Sequence, residues 1–457
     1  MNTYPRPESW DLHMLSTGEL ALGNHGLAAL ARQYGTPIHI LNERKLISDA
    51  SGFCREAMSS YPGVVSVFYA MKCNSVPAVV DAILSAGLSL EVMTPAELAL
   101  ALRLGCPPER IIVNGPCKTA EFLAECVASG VRFVIVDAIA ELQMLDRISR
   151  MRGKATDILL RVNPDFTPHG VSPGSATASR KGCAFGLDLK GGEVARALAL
   201  LKILSGVNFR GFHLHISTGI RHADDYSHAL RCLISLKQVA KDAGKRIEVL
   251  DVGGGIAAQT TWEMTPVELL LYQAFGYLMY QRHQKRCSPR SAYFASVSHA
   301  LTSHFAGYPL PELLFEPGRC IASSAQLLLL TIHRVKERPG AGRWLIADGG
   351  LSTVTLPTFY EYHEVFLCND VFRPRRSRAT IIGPACFAGD VIYRNRRMPE
   401  VYPGDVIAVM DSGAYFTALE SSFGFPRPPV LAVNGATCRI VRTRETFEEM
   451  VGRDVFD

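Results

Sequence analysis

Residues 64–94, VVSVFYAMKCNSVPAVVDAILSAGLSLEVMT, switch between two kinds of periodicity. A β-branched and aromatic run, Val64 to Lys72, ends in a charged residue, a helical stretch follows, and a second apolar run, Leu88 to Thr94, closes the unit. This is strand, helix, strand. The same unit recurs in the runs Ile111 to Pro116, Val131 to Asp137, Asp157 to Pro164, Gly211 to Ser217, Ile247 to Gly255 and Leu313 to Arg319. Between the runs, segments such as Pro95 to Leu104, Ala120 to Ser129, Ala138 to Met151, Gly192 to Leu204 and Asp224 to Ala243 space their apolar residues at helical intervals. Eight such units over about 250 residues suit a closed barrel, whereas a doubly wound open sheet usually stops at about five to seven strands. The predicted fold class is α/β, with a (β/α)8 TIM-type barrel.

Beyond Cys320 the pattern changes. Runs at Ala325 to Val335, Arg343 to Ala347, Ala379 to Ile382 and Val406 to Met410 are separated by Pro and Gly turns rather than helices, which predicts a C-terminal antiparallel β domain. The expected organisation is an N-terminal segment, 1–40, packing with the β domain, a barrel over 41–319, and the β domain over 320–457. Between Gly255 and Leu313 the pattern is least regular, with a helix-like stretch from Leu269 to Tyr280 and then a polar loop. That stretch is read as an insertion, with a lid as the alternative.

At 457 residues, 48% hydrophobic and 20% charged, the chain can fill two cores. The net charge of +5 clusters only at Arg373 to Arg378 and Arg394 to Arg397. Without interleaved aromatics these are expected to be solvated loop surface, not a nucleic-acid interface. The twelve cysteines show no CxxC pair and no zinc spacing, and Met1 opens no charged-then-apolar leader, so reduced thiols in the cytoplasm are expected. No apolar stretch approaches the roughly 20 residues a membrane span needs.

In a barrel, polar residues that end the strands gather at one rim, where barrel enzymes place their chemistry. Lys72 ends the first run directly after FYAM. Burying an ammonium there costs several kcal/mol, so the expected form is a desolvated amine of lowered pKa that makes an imine with a carbonyl cofactor. Gly253 to Gly255 follow the seventh strand, where barrels often bind phosphate through backbone N–H groups, and Arg319, past the eighth, adds a charge-assisted contact. The histidines of HLH, His213 and His215, are read as pointing in alternate directions, so that one faces the interior and stacks on a flat cofactor ring. Metal ligation is not expected.

These motifs resemble the fold-type III pyridoxal-phosphate decarboxylases, the family of diaminopimelate, ornithine and arginine decarboxylases. The resemblance runs from YGTPIHIL through FYAMKCN, LEVMTPAEL, VNGPCK, RVNP, FGL, HLHIST, DVGGG and FEPGR to DGGLSTVTLPTFY, GPACFAGD and GAYFTALES. It implies the alanine racemase-like fold, with pyridoxal 5'-phosphate as a Schiff base on Lys72 and His215 stacked on its ring. It also implies that Thr218, Gly253, Gly254, Gly255, Gly318, Arg319 and Tyr415 surround the phosphate, and that Glu316 keeps the pyridine nitrogen protonated. The resemblance further implies a homodimer in which Cys386, offered from the other subunit, would reprotonate the substrate carbon. Arg319, Leu356, Tyr360, Phe387 and Tyr415 would meet the substrate.

Three positions depart from the family. Diaminopimelate enzymes follow the cysteine with Glu and ornithine enzymes with Asp, where this chain has Phe387. The Arg that reads the distal carboxylate is Leu356, although Tyr360 remains. The family's KFG is Ala184, Phe185, Gly186, which removes the lysine that pairs across the dimer with the residue matching Asp390, leaving Lys181 as a substitute. A site without partners for a charged tail should reject that tail. The expected substrate is therefore neither diaminopimelate nor ornithine but a modified or carrier-tethered amino acid, such as a siderophore or secondary-metabolite intermediate. Diaminopimelate decarboxylase, a racemase on the same fold and a non-catalytic pyridoxal-phosphate-binding homologue are the alternatives.

Overall fold

The computed structural model describes residues 6–169, 182–276, 287–356, 361–375 and 377–456. Eight parallel strands close into a barrel in chain order: β1 (Val65–Ala70), β2 (Ser89–Val92), β3 (Ile111–Val113), β4 (Phe133–Val136), β5 (Thr156–Asn163), β6 (Val207–His213), β7 (Val249–Asp251) and β8 (Glu312–Phe315). The ring shuts where β8 meets β1, with Phe315 opposite Val67. Helices that start cleanly make the crossovers. Thr94 and Thr119 cap the helices Pro95–Arg103 and Ala120–Ser129 through their side-chain oxygens, and proline opens Pro77–Ser85 and Pro95–Arg103, where a missing N–H costs nothing.

Alternation along the strands fills the lumen in layers. At the floor Arg132 joins Glu312 at 2.6 Å and donates to Ser66 Oγ. Above it Phe68, Ile112, Phe133, Ile135, Leu159, Val249 and Leu314 form a dry plug. Asn114, His213, Asp251 and Glu316, all buried, form the top layer at the C-terminal rim.

The stretch after β7 holds more than an insertion. Its helix Arg290–His304 packs against the helices Glu43–Ser60 and Asp224–Asp242 as part of the barrel wall. Serines and histidines interrupt the periodicity that would have announced it, although Tyr293, Phe294, Val297 and Leu301 share the buried side.

In the second sheet the long strand Gln326–Arg338 pairs antiparallel with Ile38–Asn42, Gly342–Ala347 and Val406–Val409. The expectation of an antiparallel domain is corrected to a mixed one. Gly342–Ala347 runs parallel to Ser377–Ile382, and Val430–Asn434 parallel to Ile38–Asn42. Both parallel pairs join strands far apart in sequence, so no hairpin fixes their direction. Arg396, expected on a solvated loop, is instead half-buried in the strand Val391–Met398 with its guanidinium on Glu364 and over the Tyr362 ring. No described helix is long and apolar enough to cross a membrane.

Candidate active site

Lys72 lies in the single turn Met71–Cys73 that ends β1, and its Nζ is 2.6 Å from Glu91 Oε2 on β2. Glu91 was missed in the sequence, yet its signal was present: in LEVMT it stands at the same height on the neighbouring strand, paired with Ala70. Burial alone would lower the Lys72 amine, but the carboxylates of Glu91 and Glu316 outweigh it and hold the amine above its ordinary value. The expected lowered pKa is therefore corrected, because the sequence showed the cost of burial and not the anions that offset it. Burial pushes Glu91 itself up to about 7.

Glu316 ends β8 at the top of the lumen. Asn114 Nδ2 donates to its Oε1 at 3.3 Å, and His213 Nε2 lies 3.4 Å from Oε2. Burial works against the charge, but His213 and Lys72 outweigh it and bring Glu316 down to about 2. Asp251 goes the other way: burial and the neighbouring Glu316 drive it well above the usual carboxylate range. Two carboxyl groups thus share one cluster and are pushed in opposite directions, Glu316 toward the anion and Asp251 toward the acid. The ligand atoms of His213, Asp251 and Glu316 lie within 4.8 Å of one another, a grouping the sequence reading did not anticipate.

The two histidines correct a second expectation. Residues two apart on a strand share a face, so His213 and His215 both point to the site while Leu214 between them is buried in the core behind. His215 Nδ1 accepts from Gly254 N at 3.2 Å, and burial brings His215 down to about 3, leaving a neutral ring.

The three glycines are required by close approach. A Cβ on Gly253, Gly254 or Gly255 would stand 2.5, 2.3 or 2.0 Å from the carbonyl oxygens of Leu214, Glu316 and Ser217 respectively. At Gly318 it would meet Cys73 Cβ at 2.9 Å. Arg319, 6% exposed, follows Gly318 and pairs at 2.6 Å with Glu361, whose other oxygen is 2.7 Å from His363 Nε2. Glu263 stands 3.9 Å from Arg319 and accepts from Thr218 Oγ1 at 3.5 Å. Tyr415 lies under the Arg319 guanidinium, 4.9 Å from it, with its N–H on Cys73 O. Thr218, Gly253 to Gly255, Gly318, Arg319 and Tyr415 therefore belong to one neighbourhood next to Lys72. An amine, a fixed anion, a backbone cradle and a guanidinium suit an aldehyde, a pyridinium nitrogen and a phosphate. The residues present fit pyridoxal phosphate.

The remaining positions lie apart from this cluster or beyond description. Leu356 is buried beside Thr355, whose hydroxyl donates to Tyr415 O at 3.4 Å. Tyr360 and Lys181 fall outside the described residues. Cys386 and Phe387 are exposed on the loop 383–390, where the Phe387 ring meets the Phe423 ring edge-on at 6.4 Å.

A family model for the pyridoxal-dependent decarboxylases, pyridoxal binding domain, matches residues 51–323. The chain belongs to the pyridoxal-dependent decarboxylase family. It is a pyridoxal-phosphate-dependent decarboxylase, on the barrel-and-sheet fold described above. The diaminopimelate decarboxylase of Actinosynnema pretiosum subsp. auranticum is 32% identical over 448 residues, covering 96% of this chain and 94% of that one. The diaminopimelate decarboxylase of Methanocaldococcus jannaschii is 25% identical over 449 residues, 96% of each chain. A crystal structure of the M. jannaschii decarboxylase superposes with a TM-score of 0.86 at 24% identity, covering 98% of both chains.

These full-length matches overturn the expectation of a substrate other than diaminopimelate. That expectation rested on Leu356 and Phe387 as the only handles. Phe387 is 53% exposed on a surface loop, so its surroundings within a site cannot be read from its identity in one chain.

Proposed function

We propose that this decarboxylase acts on diaminopimelate, removing the α-carboxylate at one end and releasing lysine. The observation that carries this reading is the 32% identity with the Actinosynnema diaminopimelate decarboxylase along 96% of the chain. When bound, pyridoxal phosphate supplies an electron sink for the bonding pair that the departing carboxylate leaves behind. Lys72 Nζ would hold the cofactor, and Glu91, 2.6 Å away, pairs with the free ammonium and fixes its position at the rim. Glu316, ionised at neutral pH, holds a proton on the pyridine nitrogen, with His213 and Asn114 fixing its carboxylate. The neutral ring of His215 would pack against the cofactor ring. Thr218, Gly253 to Gly255, Gly318, Arg319 and Tyr415 would hold the phosphate, and Arg319 and Tyr415 would also border the substrate.

Protonation comes from elsewhere. When carbon dioxide leaves, the electron pair at the α-carbon takes the proton from Sγ–H of Cys386 of the partner subunit, and the thiolate regains one from solvent. The reading therefore includes a homodimer in which each β domain completes the other chain's site, with Leu356, Tyr360 and Phe387 bordering the substrate's distal end. The direct test supplies the holoenzyme with meso-diaminopimelate or ornithine and measures carbon dioxide and diamine or lysine formed. Lysine from diaminopimelate, with ornithine turned over at least about 100-fold less efficiently, is the expected result. Ornithine turnover without lysine formation contradicts the proposal.

A further inference from the structure

Asp390 is 2% exposed, and both oxygens of its carboxylate are engaged from within its own chain. Its Oδ1 accepts from Leu351 N at 2.6 Å and its Oδ2 from Ala385 N at 2.9 Å. Its own N–H donates to Phe387 O, and its carbonyl accepts from Gly383 N, both at 3.0 Å. The loop 383–390 is thereby closed on its own root. Two glycines grip the carboxylate: a Cβ on Gly350 would lie 2.1 Å from Oδ1, and one on Gly383 would lie 2.3 Å from Oδ2. Only the tip, Cys386 to Gly389, is exposed.

We propose that Asp390 is a positioning residue for Cys386. Ala385, whose N–H the carboxylate holds, immediately precedes the cysteine, so the two charge-assisted hydrogen bonds set the height and direction of Sγ. The other anchor, Leu351, belongs to the turn that continues through Ser352, whose carbonyl accepts from Ser421 N at 3.1 Å, to Thr355, which donates to Tyr415 O at 3.4 Å. One carboxylate thus ties the thiol loop to the segment carrying Tyr415. The inference rests on Cys386 being the proton donor, and it names the contacts within the chain that keep that donor's geometry.

The test compares Asp390→Asn, Gly383→Ala and Cys386→Ala in the full-length holoenzyme. Asp390→Asn places an amide N–H against a backbone N–H, and Gly383→Ala crowds the same carboxylate. Both are expected to lower kcat about 10- to 100-fold through misplacement of the donor, with cofactor affinity near wild type even where the crowded loop root lowers the melting temperature. Like Cys386→Ala, both should raise the fraction of turnovers in which the proton reaches a cofactor carbon instead of the α-carbon, read as an aldehyde product and aminated cofactor. Peptide mapping after iodoacetamide should show Cys386 labelled several-fold faster in Asp390→Asn, relative to exposed Cys117 in the same protein. If Cys386→Ala forms no aldehyde, the donor assignment fails. If it does while both other variants match wild type in partition and labelling, the positioning role is overturned. Loss of cofactor by both of those variants also contradicts it, because the role is confined to the thiol.

Discussion

The barrel rim and the loop 383–390, to which the proposed reaction assigns its two halves, are built in opposite ways. At the rim, Lys72, Glu91, Asn114, His213, Asp251 and Glu316 are packed against one another, and every charge has a counter-charge or donor within hydrogen-bond reach. On the loop, Cys386 and Phe387 face outward and only the root is buried. Cofactor chemistry needs low dielectric and fixed dipoles, which a barrel end supplies within one chain. A donor that must approach a substrate from the far side can sit on a surface loop, provided another chain covers it.

If that division is right, changes at the rim should remove the cofactor and changes on the loop should spare it. Lys72→Ala gives the largest effect: no cofactor absorbance survives dialysis, and lysine formation falls to background. Cys386→Ala comes next, with a rate loss of about 10²- to 10⁴-fold at full cofactor occupancy. Loss of absorbance in that variant would erase the distinction between the halves. Gly254→Ala sharpens it from the other side, since its Cβ would stand 2.3 Å from Glu316 O. Equilibrium titration should show cofactor affinity weakened about 10-fold or more in a chain that still folds, because the cradle cannot yield without moving backbone.

The smallest expected effect is on stability against acid. His39 in the β sheet and His215 at the rim are each held down to about 3 by burial. Their unfolded value is near 6.5. The unfolded chain therefore binds the extra protons first, so their contribution is complete above about pH 6.5 and is lost as the pH falls toward 3. Melting temperature should drop across that window, and His39→Gln should flatten the slope. A melting temperature unchanged between pH 8 and pH 4 contradicts the burial of neutral rings.

How much could be read beforehand follows the same division. Periodicity gave all eight barrel strands because each is an apolar run with its polar residue at one end, a pattern that Phe68 to Lys72 shows in five residues. Direction in the second sheet was not readable, since Ile38–Asn42 and Gly342–Ala347 acquire their parallel partners from remote segments. Glu91 and Asp251 escaped notice because an acid within an apolar strand looks like a strand end, and only the register of neighbouring strands brings each beside Lys72 or Glu316. The substrate was misread at Phe387, where one chain shows an exposed ring.

The account turns on where the cofactor is attached. Borohydride reduction of the holoenzyme followed by peptide mass spectrometry addresses this directly: the account predicts a phosphopyridoxyl group on the peptide containing Lys72 and on no other lysine. An unmodified Lys72 peptide from fully reduced, cofactor-saturated protein, or an adduct at a different lysine, would contradict it.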